Sequence, residues 1–515
     1  MWKGKLLIEW KSIFSTIVVF VLVLMCSVVV LQGTGVLEAG NLTHSGSENN
    51  WLRILPLSLL IGYSLKYKNF YRFCVFPIVV LLAVYFPIGF NFGLPNAGQI
   101  VSALNTDILE VQEFFSLIPI WQFVVPLLVG VALGVSHWLV LNFKIKFFTA
   151  PFYILIMLAA IVYFAGDMRF FTQGARYAKE VIVGLVQMRE MKNVESAWKV
   201  TSVNPKYKNY VLVIGESNRR DYMHAYGYSV DNTPFMESKG WLLDGFTAVA
   251  DYTIPSLQKD LTLTKKEEAV NYSTNVIDLA NLSGFETYWF SNQGHIDKKN
   301  TPITMLADRA LHKTWIKSGN RSVENTSDLE LLPLMINVLS KKVQKNRFFV
   351  LHLMGSHSSV CERIHAPFSV PIPNRLELQD AYCYEVSMRQ TDNFLEKLDE
   401  ILKETGETYS MIYFSDHGVS HNTVQGKFVM NHAYPANHHR DIPLYRVSSD
   451  DVQLNRITAR RFANNLTEGV SAWLGVTTEQ LPKPRDLFRT ESDPDDYGIL
   501  PMLAKRRNDP PIDVR

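Results

Sequence analysis

The sequence predicts an N-terminal five-helix transmembrane domain followed by an α/β soluble domain with a mostly parallel central sheet, and two observations carry that prediction. The first is a break in composition. Long apolar segments dominate up to about residue 168, and beyond about residue 200 the mixture is that of a soluble globular domain. The second is a set of three apolar runs that each end on residues of metal-ligand type: Tyr210 to Glu216, Phe348 to His357, and Met411 to Asp416-His417. Strands buried on both faces of a parallel sheet read as continuous apolar runs, and chemistry collects beyond their carboxyl ends. The expected organisation is a membrane domain at 1–168, an amphipathic connector at 169–202, the soluble domain at 203–490 and a tail at 491–515.

Crossing a bilayer takes about 20 predominantly apolar residues. Five segments are candidates: Ile13–Val36, Trp51–Leu65, Phe73–Phe90, Ile118–Leu141 and Phe147–Gly166, the second being the shortest. The intervening charges alternate. Lys3, Lys5 and Lys11 precede the first segment, Lys66, Lys68 and Arg72 lie between the second and third, and Lys144 and Lys146 join the last two. The stretches Leu37–Asn50 and Phe92–Leu117 hold no Lys or Arg. The positive-inside rule then puts the N-terminus in the cytoplasm and everything after Gly166 on the other side, which for a bacterial inner membrane is the periplasm.

Cysteine usage suits that side. Cys26 and Cys74 fall in predicted spans, where a thiol is a small apolar group, and an oxidising compartment favours pairing Cys361 with Cys383. The formal charge of +2 comes without a basic cluster, so no nucleic acid partner is expected.

In the connector, Phe170, Phe171, Tyr177, Val181, Val183 and Leu185 alternate with Arg176, Lys179 and Glu180. That is the pattern of a helix lying on a membrane surface or packed on the soluble domain. From Asn204 onward strands and helices alternate, as βαβ units require. Helices are expected at Val276–Leu282, Leu329–Gln344 and Gln390–Thr405, and further strands at Phe285–Phe290 and Ile442–Tyr445. The 491–515 segment, rich in Pro, Asp and Arg, is expected to wrap the surface or hang loose.

Asp416-His417 is the sharpest local signal. Neighbouring strand residues point to opposite faces, so both serve one site only where the strand breaks, and Gly418 permits the break. With Glu216 and His357 on equivalent strand ends, the set reads as a metal site, and mixed carboxylate and imidazole donors suit Zn²⁺. Asn431-His432-Ala-Tyr-Pro435 follows in a polar loop close to His417, whereas His438 and His439 are less favoured, because the run Asn437 to Asp441 could equally be a solvated turn. The candidate nucleophile is Thr253, just ahead of a Pro255-Ser256 turn that opens a helix. Its plain alternative is an ordinary capping threonine.

Gly215-Glu216-Ser217, Arg219-Arg220, Tyr226-Gly-Tyr228 and Thr233-Pro234 resemble the opening motif of the membrane-bound phosphoethanolamine transferases of Gram-negative bacteria, within the alkaline phosphatase/sulfatase superfamily. Gly355-Ser356-His357, Tyr413 to Gly418 and His432-Ala-Tyr-Pro435 match later motifs in order, so the resemblance spans nearly the whole chain. It implies a zinc site of Glu216, Thr253, Asp416 and His417, with Thr253 taking phosphoethanolamine from phosphatidylethanolamine as a covalent intermediate. His357 and His432 would hold the phosphoryl group, act as acid or base, or bind a second zinc. The implied acceptor is lipopolysaccharide or another envelope glycan.

Three departures from the lipid A enzymes of that family leave the acceptor open among core sugar, lipid A, periplasmic glucan and capsule polymer. They are Gly-Glu-Ser in place of Gly-Glu-Thr, Ile-Pro-Ser after the nucleophile, and no cysteine pairs near it. Three other readings compete: a sulfatase or phosphatase of the same superfamily, a polyglycerol-phosphate polymerase, which also combines five spans with a similar domain, and a non-catalytic membrane scaffold. Thr253-x-Pro255-Ser256 echoes a sulfatase motif but lacks its Cys at 253 and its Arg at 257, and a non-catalytic membrane scaffold would be expected to lose ligands.

Overall fold

The computed structural model describes residues 2–34, 54–92, 118–143, 145, 147–163, 175, 179, 194–264, 270–294, 301–318, 325–372, 375–424, 427–432 and 435–514. The chain divides into two compact units, one of residues 1–106 and 110–183, the other of 107–109 and 184–515. Most of the expected connector, up to residue 193, lies outside the described residues.

The N-terminal unit is inside-out relative to a water-soluble protein. Phe73, Leu81 and Leu155 are 78%, 70% and 70% exposed, while Ser27, Ser64, Gln122 and Ser136 are fully buried. Several buried polar groups are bonded to backbone carbonyls: Ser27 to Val23, Ser64 to Ile61, Ser136 to Ala132, and Tyr71 to Leu133 at 2.8 Å. Apolar groups facing outward and polar groups satisfied inside are what hydrocarbon surroundings select.

Among the described residues, two helices in this N-terminal membrane region, Trp10–Gly33 and Trp121–Asn142, are long and apolar enough to cross a bilayer. The other segments expected to span are built differently. Ile54–Ser64 has 11 residues and Pro151–Tyr163 has 13, or about 16–20 Å at helical rise against a hydrocarbon core of about 30 Å. The third is helical from Lys68 to Val84, with a π-turn at Tyr71–Val75.

The second unit contains twelve described strands: β1 Val200–Val203, β2 Asn209–Gly215, β3 Gly240–Thr247, β4 Glu286–Ser291, β5 His312–Trp315, β6 Arg347–His352, β7 Tyr409–Ser415, β8 Ser420–Val424, β9 Lys427–Asn431, β10 Leu444–Ser448, β11 Leu454–Phe462 and β12 Val476–Thr478. Eight form one sheet in the order β11-β3-β10-β7-β2-β6-β4-β5. The sheet is mixed: β10 runs antiparallel to both β3 and β7, and the other pairings are parallel. The expected strand at Ile442–Tyr445 is β10, displaced by two residues.

Alternation along the three central strands fills two cores. Tyr210, Leu212 and Ile214, Phe348 and Val350, and Ile412 and Phe414 pack on one face. Val211 and Val213, Phe349 and Leu351, and Met411 and Tyr413 pack on the other. Because both faces are covered, all seven residues of β2 and of β7 are buried, which is why these strands read as unbroken apolar runs.

Val276–Leu282 is a helix as expected; Leu332–Leu339 is shorter than expected, and the helix expected at Gln390–Thr405 begins at Gln379. Cys361 and Cys383 are joined in a disulfide that ties this long helix to the loop after β6. The C-terminal segment wraps the unit rather than hanging loose: Asp493 and Asp509 are buried, and Ile499–Leu503 is helical.

Candidate functional site

The parallel strands β2, β6 and β7 end in register, with Ile214 opposite both His352 and Phe414, and Gly215 opposite Ser415. The next residues therefore emerge side by side. Asp416 and His417 lie past the last residue of β7, so the alternation of side chains no longer separates them. Gly418 makes the break possible through close approach, since a Cβ there would sit 2.6 Å from Arg219 Cγ and 2.7 Å from the His439 carbonyl oxygen.

Glu216, Asp416 and His417 are buried, at 1%, 0% and 1% exposure, while Thr253 above them is half-buried. Thr253 Oγ1 donates to Glu216 Oε2 at 3.0 Å and lies 3.2 Å from His417 Nε2. That nitrogen is also 3.3 Å from Glu216 Oε1 and 3.2 Å from Asp416 Oδ2. Thr253 opens the helix Thr253–Asp260, but the N-cap is Tyr252, so the hydroxyl is directed into the cluster instead of capping the helix.

Each ligand-type side chain is oriented by what surrounds it. Asp416 Oδ1 accepts the backbone N–H of Ser217 and of His417, leaving Oδ2 buried with no hydrogen bond. Ser217 donates its hydroxyl to Glu216 Oε1 at 2.7 Å. His417 Nδ1 donates to the Gly418 carbonyl at 2.8 Å, which turns Nε2 toward the oxygens.

The charges strain against one another. Burial and the Glu216 charge push the Asp416 carboxyl up to about 8. Burial lowers the His417 imidazole, but Asp416 and Glu216 outweigh it and raise the group to about 9. Glu216, despite burial, is held well below the carboxylate range by His417. Two buried carboxylates and an imidazole nitrogen converge with their ligand atoms within 4.8 Å of one another, and the orphaned Asp416 Oδ2 lies 3.2 Å from His417 Nε2. This donor set fits a cation, which would replace the protons that otherwise hold the carboxylates together.

The two further histidines expected at the site stand beside this cluster. His357 follows β6 in the Gly355-Ser356 loop, where Ser356 N–H donates to the Glu216 carbonyl at 3.0 Å. Burial pulls its imidazole down to about 4. The His432 ring lies edge-on to His417, 4.8 Å between centroids, and burial together with the nearby His417 holds it well below its ordinary range. Ala433 and Tyr434 of its motif lie outside the described residues.

His439, less favoured from the sequence because its stretch could equally be a solvated turn, is fully buried, and its Nε2 lies 3.2 Å from His432 Nδ1. His417, His432 and His439 form a second group of converging ligand atoms. Its only sequence signal is a histidine seven places after His432. His438 is half-buried and pairs with Asp441 at 2.8 Å, away from this group.

A sulfatase family model matches residues 208–476. Phosphoethanolamine transferase OpgE of Escherichia coli is 33% identical over 437 residues, covering 78% of this chain and 80% of that one. A Haemophilus influenzae chain provisionally described as a phosphoethanolamine transferase is 35% identical over 379 residues, covering 72% and 78%. The solved integral membrane lipooligosaccharide phosphoethanolamine transferase A of Neisseria meningitidis superposes with a TM-score of 0.59 at 16% identity, over 95% of this chain and 99% of that one, a likeness of fold. Ordered motifs, a mixed sulfatase-like sheet and relatives matched over 72% and 78% of the chain agree: the chain belongs to the phosphoethanolamine transferase family of the alkaline phosphatase/sulfatase superfamily.

Proposed function

We propose that the protein is a five-span inner-membrane enzyme whose soluble unit lies in the periplasm. It moves phosphoethanolamine from phosphatidylethanolamine to a hydroxyl of an envelope glycolipid or glycan, lipopolysaccharide core or lipid A being the leading acceptors. The observation that carries this reading is the Thr253 hydroxyl, half-exposed and 3.0 Å from Glu216 Oε2 above a buried carboxylate pair. Names of relatives support the transferred group, and the alternating loop charges support the topology.

Glu216, Thr253, Asp416 and His417 would hold Zn²⁺, the ion their mixed oxygen and nitrogen donors suit. When bound, the ion supplies charge to neutralise the phosphoryl oxygens and lower the pKa of the hydroxyl.

Thr253 Oγ1 attacks phosphorus, its proton leaving along the hydrogen bond to Glu216 Oε2. The Oγ1–P bond forms and the bond from phosphorus to the glycerol oxygen breaks. The anionic phosphodiester offsets the burial that keeps His357 and His432 neutral, so one of them takes up a proton as the donor binds and passes it to that oxygen, and diacylglycerol stays in the bilayer. In the second step the acceptor hydroxyl gives its proton to the same imidazole, its oxygen bonds to phosphorus, the Oγ1–P bond breaks, and Glu216 returns its proton to Thr253 Oγ1.

The test is full-length protein with ethanolamine-labelled phosphatidylethanolamine and no acceptor. Label should accumulate on Thr253, and Thr253→Ala should abolish both the adduct and diacylglycerol release while the metal remains bound. Near wild-type transfer by Thr253→Ala would refute the covalent route.

A further inference from the structure

Two residues ahead of Thr253, Asp251 is 8% exposed and held by two guanidinium groups at once. Arg440 donates from Nε to Oδ1 at 2.7 Å and from Nη2 to Oδ2 at 3.2 Å. Arg506 donates from Nη1 to Oδ1 at 2.8 Å and from Nη2 to Oδ2 at 2.7 Å. One carboxylate thus takes four charge-assisted bonds from two forks, an arrangement with far narrower angular tolerance than a single ion pair.

The segments it joins are the ones that carry the chemistry. Asp251 leads into the Thr253 helix, and Arg440, whose Nη1 also donates to the Val249 carbonyl at 2.6 Å, immediately follows His439 and its contact with His432. Arg506 arrives from the C-terminal segment. The same segment reaches the loop behind Glu216: Asp509, 1% exposed, accepts from Arg219 Nη1 at 2.9 Å, and its carbonyl accepts from Arg219 Nη2 at 2.8 Å. Asn437 N–H donates to the Arg507 carbonyl at 2.9 Å, and Tyr228 donates to the Ile512 carbonyl at 2.7 Å. Neither Arg506 nor Asp251 touches the ligand cluster itself.

We propose that Arg506 is a positioning residue for the transfer: through Asp251 and Arg440 it fixes the nucleophile's helix against the His432–His439 loop. Its role rests on Thr253 being the nucleophile, as proposed above. Arg440 alone leaves Asp251 anchored to the histidine loop but untied from the C-terminal segment, so losing Arg506 loosens Thr253 relative to the metal ligands without removing any ligand.

The experiment uses the full chain in detergent or membranes and compares wild type, Arg506→Ala, Arg506→Lys and Asp251→Asn. Rates are followed with phosphatidylethanolamine and with bis(p-nitrophenyl) phosphate, alongside metal content. Arg506→Ala should lower kcat about 10- to 100-fold with metal retained, the usual scale for a group that orients a catalytic residue. KM should stay within about twofold, since no substrate contact is lost. Arg506→Lys should recover part of the rate through its charge without the fork, and millimolar methylguanidinium should recover part of the rate of Arg506→Ala.

A kcat for Arg506→Ala within about twofold of wild type would overturn the proposal, the threshold being well below the expected loss. So would a loss accompanied by release of the metal, or one that neither lysine nor methylguanidinium relieves, because those are signs of general unfolding. The synthetic diester keeps the two readings apart. Wild type that cleaves it but not the lipid removes the donor assignment and leaves the Arg506 comparison intact; a Thr253→Ala variant that cleaves it at the wild-type rate removes the nucleophile and this proposal with it.

Discussion

Metal binding at the Glu216, Asp416 and His417 cluster should displace two protons near neutral pH. In the metal-free site Asp416 is raised to about 8 and His417 to about 9, so at pH 7 both hold a proton, while Glu216 is ionised. A ligating carboxylate and a ligating imidazole must give theirs up. Protons compete with the ion, so affinity rises with pH. Below about pH 8 it should climb about 100-fold per pH unit, between about 8 and 9 about 10-fold, and above that level off. Chelator competition across pH 6.5–9.5, or calorimetry in buffers of different ionisation enthalpy, reads the proton number directly. Asp416→Asn should reduce it from two to one. An affinity independent of pH below 8, or a proton number unchanged by Asp416→Asn, would refute the charge assignment and with it the idea that protons stand in for a cation here.

Three other outcomes follow from the geometry. Gly355 has φ +51°, and a Cβ would fall 2.9–3.2 Å from Glu216 backbone and Cβ atoms; Gly355→Ala should therefore displace Glu216 and weaken metal binding about 10- to 100-fold, measured by the same competition. The Cys361–Cys383 bridge closes a loop with a sequence separation of 22; reducing it, or Cys383→Ser, should lower unfolding free energy by about 3 kcal/mol on loop-entropy grounds, read by denaturant titration. A reporter fused after residue 200 should be active only as a periplasmic reporter, and a cytoplasmically active fusion would invert the topology.

How much of this was legible in the sequence depends on how local the cause is. β2, β6 and β7 announce themselves because burial on both faces makes each an apolar run, and parallel register then delivers Glu216 and Asp416-His417 together. The direction of β10 was not legible, because a strand's composition carries no record of which way its neighbours run. The long helix was seen only in its second half: its first turns bury Tyr382, Cys383, Tyr384 and Glu385 together, so they lack the polar face that marks a helix at its surface. His439 sits in a stretch, Asn437 to Asp441, whose composition is that of a solvated turn; only tertiary packing buries it. The Arg506 to Asp251 pair joins residues 255 apart and leaves no local trace.

The buried contact between Arg219 and Asp509 also imposes an order of events on biosynthesis. Its two residues are 290 apart in the chain, so at about 5–20 residues per second the loop that carries Glu216 waits roughly 15–60 s for its partner. During that interval the central strands can already pair, but the guanidinium destined for burial stays in water and the loop behind Glu216 lacks its clamp. The clamp behind Glu216 is therefore among the last contacts to close, after the sheet beneath it has set.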